Sequence, residues 1–287
     1  MPSLKGSTFV KQGKDMNFRL FALGNKKSND NLTHSKALLT KRDMYFKDFS
    51  KYLESVGQEG KFNLLLNEEN LNGFLEQRLE GLTLSTVENY MSGFNSLLNG
   101  FKEVNIRVGV SEHYFKDKFK DMKQVTQQTQ ERATRGLHSD NVLSDLKQIR
   151  YESYVIGKIM LDYGYRINET MNIVQNPNKF IKPLSNGDYK ITSVVGKGGK
   201  IYHDKTMSYK ERELVKHIKR IPSKQSFHRD LKRINGNLRA HDFRYQHARD
   251  LFNKIIGNVG YKGALETVSK ALNHNRSEIT KYYLTKG

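Results

Sequence analysis

Apolar residues recur at helical spacing through the first 130 positions. Residues 40–53, 70–79 and 84–101 each place them on one side, and the last of these is the clearest, with the stripe Val87, Met91, Phe94, Leu98 and Phe101. This spacing predicts amphipathic helices. Residues 1–17 are rich in Gly, Ser and Lys with little periodicity, which predicts a flexible arm. A helical domain is therefore expected over 18–130.

The second half mixes helical and strand patterns. Residues 116–136, rich in Gln, Thr and Lys, predict an exposed linker, with a domain boundary near Gln130. Helices are expected over 139–146, 152–163 and 167–174, the last two separated by Gly164-Tyr165-Arg166. Residues 189–195 alternate as a strand does, and 201–207 can return as its partner. The expected fold is mainly α with a small β-sheet, an α+β class.

The tip of the predicted hairpin, Gly196 to Lys200, holds Lys197 between glycines. Its glycines lack the spacing of a phosphate-binding loop that ends in Lys-Ser or Lys-Thr, so nucleotide binding is not expected.

The last 47 residues, 241–287, carry most of the candidate chemistry. The stripe Phe243, His247, Leu251 and Ile255 predicts a helix over 243–256, with Arg244 in its first turn and His241 beside it. A second helix, 264–272, ends at Asn273, a residue that tolerates the left-handed conformation. Ser277 can then start a short helix that carries Tyr282 and Tyr283. His247 lies on the apolar stripe and is expected in the core.

Composition narrows the class of protein. The 287 residues include no cysteine, so disulfides and thiolate metal sites are excluded. No apolar run is long enough to span a membrane, and the N-terminus lacks the apolar core of a secretion signal, so a cytoplasmic protein is expected.

The net charge of +19 indicates a polyanionic partner, and double-stranded DNA is favoured over a membrane. Residues 1–130 hold 19 basic and 15 acidic side chains, whereas residues 131–287 hold 30 and 15. The excess lies with the candidate chemistry.

DNA contacts are also expected from the first domain. The face of helix 84–101 opposite its stripe carries small residues that could approach a sugar-phosphate backbone: Ser85, Asn89, Ser92, Gly93 and Ser96. A solvated face explains the same pattern equally well. Lys36, Lys41 and Arg42 are further candidates for phosphate contacts.

Four segments of the second domain, in this order, resemble the sequence boxes of the tyrosine recombinases, the family of phage integrases and Xer-like site-specific recombinases. They are GYRINE (164–169), VVGKGGK (194–200), HDFRYQHA (241–248) and LNH (272–274) followed by Tyr283. The sequence departs from the family in having Asn273 where glycine is usual and Tyr-Gln-His after Arg244. Only four residues follow Tyr283.

The resemblance implies a helical core-binding domain and a catalytic domain over 131–287 that cuts and rejoins DNA through a 3′-phosphotyrosyl intermediate. Arg166 and Arg244 would clamp the scissile phosphate, and Tyr283 would attack it. Lys197 would protonate the leaving oxygen, His241 would accept the tyrosine proton, and His274 would bind the phosphate. Glu169 would support Arg166.

Some roles stay open. Lys200 competes with Lys197 as the acid and is also a candidate DNA contact, and Tyr282 competes with Tyr283 as the nucleophile. The family uses neither metal nor ATP and assembles as a tetramer on paired sites, in some systems with DNA-bending proteins.

The alternative functions are a type IB topoisomerase, an inactive DNA-binding regulator, and a two-metal nuclease. The nuclease would use Asp162, Glu169 and Asp242, which lack a shared metal-ligand spacing.

Overall fold

The computed structural model describes residues 9–22, 32–79, 84–103, 105, 107–111, 113–118, 120, 137, 141–197, 199–274 and 276–286. The chain divides into two compact units, Met1–Gln130 and Glu131–Gly287.

The first unit is helical. Its helices are α1 (Phe9–Arg19), α2 (Lys36–Ser55), α3 (Phe62–Leu65), α4 (Glu68–Leu79) and α5 (Leu84–Glu103), and residues 114–118 are also helical. The core is aromatic, and Phe46, Phe49, Phe74 and Phe94 are fully buried in it. The rings of Phe49 and Phe94 meet edge to face at 5.6 Å, a favoured arrangement of aromatic quadrupoles. All five residues of the predicted α5 stripe are buried, as expected.

The predicted flexible arm over residues 1–17 is wrong for its second half. Residues 9–17 lie in α1, and Phe9 and Met16 are buried in the core. Between them Gly13 packs so closely that a Cβ there would lie 2.8 Å from the ring of Phe46. Gly13 and the buried polar residues Gln12 and Asn17 interrupt the apolar stripe, so hydrophobic periodicity did not predict this helix. Residues 1–8 lie outside the described residues.

The predicted linker over 116–136 is only partly described. Residues 116–118 and 120 are helical, whereas 119 and 121–136 lie outside the described part of the chain.

The second unit contains eight described helices and three strands. In chain order these are α6 (Val142–Ile149), α7 (Tyr151–Tyr163), α8 (Ile167–Gln175), α9 (Pro177–Phe180), β1 (Ile181–Pro183), β2 (Tyr189–Ile191), β3 (Lys205–Met207), α10 (Tyr209–Lys216), α11 (Lys224–Ile234), α12 (Ala240–Ala271) and α13 (Ser277–Lys286). Helix α7 packs against α6 and α12, and α13 packs on α12. The expected mainly α architecture with a small sheet is confirmed.

The sheet has the order β1-β2-β3 and is antiparallel throughout. Tyr189 lies opposite Met207, and the bridge between Val195 and Ile201 continues the same register. The predicted hairpin is therefore present, and Gly196, Lys197, Gly199 and Lys200 are the described residues of its tip. Strand β1 was not predicted, because three residues are too few to show alternation.

Helix α12 joins the two predicted helices 243–256 and 264–272. They meet at a kink at Gly260, whose φ of 68° and ψ of 172° are not helical. Past the end of α12, Asn273 has the predicted left-handed conformation, with φ 56°. None of the described helices is long and apolar enough to cross a membrane.

Candidate active site

Arg166 is held at the start of α8. Gly164, with φ 65°, ends α7 in the left-handed conformation and turns the chain, so that Arg166 becomes the N-cap of α8. The Oε2 of Glu169 accepts from the Arg166 backbone N–H at 2.7 Å, and Oε1 accepts from its Nη1 at 3.1 Å. The same Nη1 donates to the hydroxyl of Tyr202 at 2.9 Å. The side chain of Arg166 remains 27% exposed, so it can still reach a ligand.

Arg244 lies at the centre of the site and is fully buried. Its Nη1 donates to the carbonyl of Gly164 and, at 3.0 Å, to the hydroxyl of Tyr202. Its Nη2 donates to the carbonyl of Leu272 and faces Nε2 of His274 at 3.2 Å. The two carbonyls lie at the C-terminal ends of α7 and α12, where the helix dipoles favour a cation. Among the described residues, Nε of Arg244 has no hydrogen-bond partner.

A chain of hydrogen bonds fixes the tautomer of His274. The carbonyl of Leu265 can only accept, so the Ser269 hydroxyl donates to it at 2.8 Å. Ser269 then accepts from Thr280 at 2.7 Å, and Thr280 accepts from Nδ1 of His274 at 2.9 Å. Burial, followed by the charge of Arg244, lowers the pKa of His274 to about 3. The imidazole is therefore neutral near pH 7, with its proton on Nδ1 and with Nε2 free to accept from Arg244.

The hydroxyl of Tyr283 lies 2.5 Å from Nε2 of His241. Tyr283 is only 6% exposed. Its ring packs on Tyr245 at a centroid distance of 4.3 Å and meets His274 edge to face at 4.7 Å. The guanidinium carbon of Arg244 lies 5.9 Å from the centre of the Tyr283 ring. A phenol, an imidazole and a guanidinium thus form one cluster.

Tyr282 is more exposed than Tyr283. Its side chain is 36% exposed, and its ring lies 6.3 Å from that of Tyr245. Of the two adjacent tyrosines, Tyr283 is the one whose hydroxyl reaches His241.

Lys197 and Lys200 are both exposed on the hairpin. Gly196, the first residue of the tip, contacts the site, because a Cβ there would lie 2.8 Å from the Tyr202 ring and 3.3 Å from Oε1 of Glu169. The structure therefore brings together Arg166, His241, Arg244, His274 and Tyr283 and leaves the Lys197 side chain exposed on the hairpin.

Three residues of the site were not predicted. Tyr202 bridges the two arginines, Thr280 contacts His274, and the Nζ of Lys205 lies 5.6 Å from the centre of the Tyr202 ring. The Nζ of Lys205 donates to the carbonyls of Tyr163 and, at 2.9 Å, Ala271. Burial, followed by the charge of Arg244, lowers the pKa of Lys205 to about 7. Only the nearness of Tyr202 and Lys205 to the lysine hairpin in the sequence hinted at them.

His247 lies outside the cluster of functional groups, as its place on the apolar stripe predicted. Its Nδ1–H donates to the carbonyl of Leu161 at 2.7 Å. Burial lowers its pKa to about 4. His247 is thus a neutral structural residue near pH 7.

The carboxylates of the nuclease alternative have structural partners. Asp162 pairs with Lys158 at 2.8 Å, and Asp242 accepts from the backbone N–H of Arg239 at 2.7 Å. In the described part of the chain, no group of three or more acidic or histidine side chains could hold a metal ion together.

The DNA contacts predicted in the first unit are only partly exposed. Lys36, Lys41, Asn89 and Ser92 are exposed, and Lys41 donates to Asn89 at 3.2 Å. The Ser85 side chain lies outside the described residues.

Arg42 was predicted to contact phosphate, and this is wrong for the present structure. It is 1% exposed and donates to the hydroxyls of Thr33 and Ser96. The predicted small face is partly internal as well, since a Cβ at Gly93 would lie 2.0 Å from the Tyr45 ring. Small residues here let α2 and α5 approach each other, which sequence alone does not distinguish from the approach of a ligand.

No protein-family model matches the sequence, and no curated protein matches it. Solved structures do match. The XerH site-specific recombinase bound to its difH substrate, in a pre-cleavage complex, is 17% identical with a TM-score of 0.60, over 96% of this chain and 91% of that one.

The Tn1549 transposon integrase in complex with a circular intermediate DNA is 12% identical with a TM-score of 0.62, over 96% of this chain and 94% of that one. The sequence boxes lie in the second unit, but both structural matches cover residues of the first unit as well. The chain therefore has the fold of the tyrosine recombinases, the family that its sequence motifs resemble.

Proposed function

We propose that the protein is a site-specific DNA recombinase that cuts and rejoins DNA strands through a 3′-phosphotyrosyl intermediate. The observation that carries the proposal is the 2.5 Å contact between the Tyr283 hydroxyl and Nε2 of His241, next to the guanidinium of Arg244. A nucleophile, a proton acceptor and a cation for the phosphate are the groups that transesterification of a phosphodiester needs.

The proposed cleavage begins with attack by Tyr283. Its oxygen forms a bond to phosphorus while the bond from phosphorus to the 5′-oxygen breaks. His241 takes the phenolic proton, and Lys197 on the exposed hairpin gives a proton to the leaving 5′-oxygen. The phosphodiester bond energy is kept in the tyrosyl link, so a 5′-hydroxyl of a second strand can reverse the step without ATP or a metal ion.

The two arginines stabilise the charge of the pentavalent transition state. Arg166 is partly exposed and can meet a phosphate directly, whereas Arg244 is fully buried below the Tyr283 ring. We infer that α13, which carries Tyr283, shifts when the phosphate arrives, so that the Tyr283 ring no longer covers the guanidinium of Arg244. Each guanidinium in such a preorganised site supplies on the order of 3 kcal/mol.

The first unit supplies contacts to the DNA backbone in this proposal. The exposed residues Lys36, Lys41, Asn89 and Ser92 are the candidates, together with Lys200 on the hairpin of the second unit. The strong net charge of the chain favours a polyanionic duplex. Recombination would take place between paired sites in a homo-tetramer, with DNA-bending accessory proteins as further partners, in a cytoplasm.

The fold shared with a site-specific recombinase and a transposon integrase supports strand exchange, as in the integration or excision of a mobile element, over relaxation by a type IB topoisomerase. The cluster of Arg166, His241, Arg244 and His274 around Tyr283 favours an enzyme over an inactive DNA-binding regulator. A topoisomerase and a recombinase are distinguished by their products. A topoisomerase relaxes any supercoiled plasmid, whereas a recombinase joins strands only between paired sites.

A nicked suicide duplex tests the proposal. The duplex is drawn from DNA that flanks the gene, labelled on the scissile strand, and incubated with the full chain in EDTA. The expected product is a protease-sensitive covalent adduct on a denaturing gel, lost in Tyr283→Phe and retained in Tyr282→Phe. An adduct that persists in Tyr283→Phe, or cleavage that requires a divalent metal, contradicts the mechanism.

A further inference from the structure

The hydroxyl of Tyr202 makes three hydrogen bonds to groups of the site. It accepts from Nη1 of Arg166 at 2.9 Å and from Nη1 of Arg244 at 3.0 Å, and it donates to Oε2 of Glu169 at 2.8 Å. A phenol has one proton to donate and two lone pairs with which to accept, so its hydrogen-bonding capacity is fully used.

These contacts set the distance between the two guanidinium groups. One oxygen accepts from both Nη1 atoms. The distance between these two atoms therefore cannot exceed the sum of the two hydrogen-bond lengths. The donated proton is directed to Glu169, which also binds Arg166 through its other oxygen. Burial raises the pKa of Tyr202 to about 12, so the hydroxyl keeps the proton for Glu169 at neutral pH.

The backbone of Tyr202 also anchors the lysine hairpin. Its N–H donates to the carbonyl of Val194 at 2.9 Å. This pair is next to the bridge between Val195 and Ile201, on the side away from the tip. Its ring packs against Gly196, where a Cβ would lie 2.8 Å from Cε2. One residue therefore joins the hairpin that carries Lys197 to the two arginines.

We propose that Tyr202 is a positioning residue, which holds the guanidinium groups of Arg166 and Arg244 at the spacing needed to bind one phosphate. The role rests on the proposed function, since the phosphate is the ligand of that reaction. Tyr202 itself acts through the arginines, because its hydroxyl has no remaining capacity for the substrate.

The neighbouring Tyr165 provides a matched control. Its ring lies 4.9 Å from that of Tyr202 and is fully buried, but among the described residues its hydroxyl has no hydrogen-bond partner. Tyr202→Phe and Tyr165→Phe each remove one buried hydroxyl from adjacent rings. Only the first breaks contacts to the arginines.

The first measurement is single-turnover cleavage of the suicide duplex. We expect Tyr202→Phe to slow cleavage roughly 10- to 100-fold, less than removal of a transition-state donor, with duplex affinity within about twofold of wild type. Tyr165→Phe should cleave at the wild-type rate within about threefold. Equal rates for wild type and Tyr202→Phe would overturn the proposal.

A scissile methylphosphonate separates positioning from general damage to the fold. It replaces one charged phosphate oxygen with a methyl group, so less charge has to be neutralised by the arginines. The deficit of Tyr202→Phe should therefore shrink on this substrate. An undiminished deficit on the methylphosphonate would overturn the positioning role.

The guanidinium signals in a ¹⁵N NMR spectrum test Tyr202 without any reaction. Resonances assigned to Arg166 and Arg244 should change in Tyr202→Phe and stay in place in Tyr165→Phe. If they are the same in wild type and Tyr202→Phe, the proposal fails even for an active enzyme. If wild type forms no adduct on any duplex, the proposed function fails, and these spectra alone decide whether Tyr202 holds the arginines.

Discussion

Thr280 and His274 are joined by a hydrogen bond of 2.9 Å between the threonine hydroxyl and Nδ1 of the imidazole. Thr280 is fully buried and lies three residues before Tyr283 on α13. Through Ser269 it also ties α13 to α12. The helix of the candidate nucleophile and the tautomer of the histidine therefore depend on the same hydroxyl.

Thr280→Val tests this relationship. Valine has the same shape but leaves Nδ1–H of His274 without its acceptor, and we expect a loss of about 1–3 kcal/mol in the free energy of unfolding. Denaturant unfolding measures the loss. The control is Thr285→Val on the same helix, because Thr285 is exposed and its hydroxyl donates to the backbone carbonyls of Lys281 and Tyr282 in its own helix. A control variant as unstable as Thr280→Val would contradict the assignment.

Lys197→Ala should slow cleavage of an ordinary duplex by about 10²- to 10⁴-fold, the usual contribution of a general acid. A duplex with a 5′-sulfur at the scissile position has a leaving group that needs no proton. The variant should therefore cleave it at close to the wild-type rate, as measured by adduct formation in single turnovers.

Lys200→Ala is the matched control on the same hairpin. If Lys200 only contacts DNA, its variant should lose affinity, and the sulfur should not restore the loss. Rescue of Lys200→Ala instead of Lys197→Ala would reverse the two roles.

Gly164→Ala should be more damaging than an ordinary glycine substitution. Gly164 has φ 65°, and a Cβ would lie 2.4 Å from Cδ2 of His247 and 2.9 Å from Cδ2 of Leu272. Gly187 has a similar φ of 86° with nothing within 4 Å. Gly187→Ala should cost about 1 kcal/mol from backbone strain alone, and Gly164→Ala about 1–3 kcal/mol more from overpacking.

Denaturant unfolding compares the two alanine variants. Because the carbonyl of Gly164 also accepts from Arg244, Gly164→Ala should lower the rate of adduct formation as well, whereas Gly187→Ala should not. Equal free energies of unfolding for the two variants would contradict the overpacking argument, because His247 and Leu272 would then move aside without cost.

The sequence predicted those features that depend on neighbours along the chain. The stripe of α5 is visible because its residues recur every three or four positions, and the boxes around Arg166 and Arg244 stand at helix starts, where their spacing is local. Helix α1 was missed because Gly13 serves as a core residue against Phe46. Arg42 was misassigned because its charge suggests exposure, while its partners Thr33 and Ser96 are 9 and 54 residues away.

The residues that support the arginines could not be predicted either, because their partners are distant in the sequence. Tyr202 meets Glu169 over 33 residues and Arg244 over 42, and no periodicity marks such contacts. Asn273 is a middle case. Its left-handed backbone followed from its place after a helix, but the bond from its side-chain amide to the Lys200 carbonyl, at 3.3 Å, links it to the hairpin through tertiary structure alone.

The pH dependence of stability should reveal the half-buried His247. Its pKa is lowered to about 4 in the folded protein, mainly by burial, from the ordinary value of 6.5. Between pH 6.5 and 4 the unfolded chain therefore binds a proton that the folded chain does not. The free energy of unfolding falls as the pH falls through this window, by at most about 1.4 kcal/mol per pH unit from this group, and is unaffected by it above the window.

His247→Asn removes the titrating ring and keeps an N–H near the Leu161 carbonyl. Wild type should lose stability more steeply than this variant between pH 6.5 and 4, while above pH 7 the difference between the two proteins should stay constant. Denaturant unfolding at a series of pH values measures both slopes. His274, with its pKa of about 3, contributes in the same direction in both proteins and cancels in the comparison. If the unfolding free energies of the two proteins run parallel over the whole pH range, the prediction is wrong. His247 would then take up its proton as readily in the folded protein as in the unfolded one.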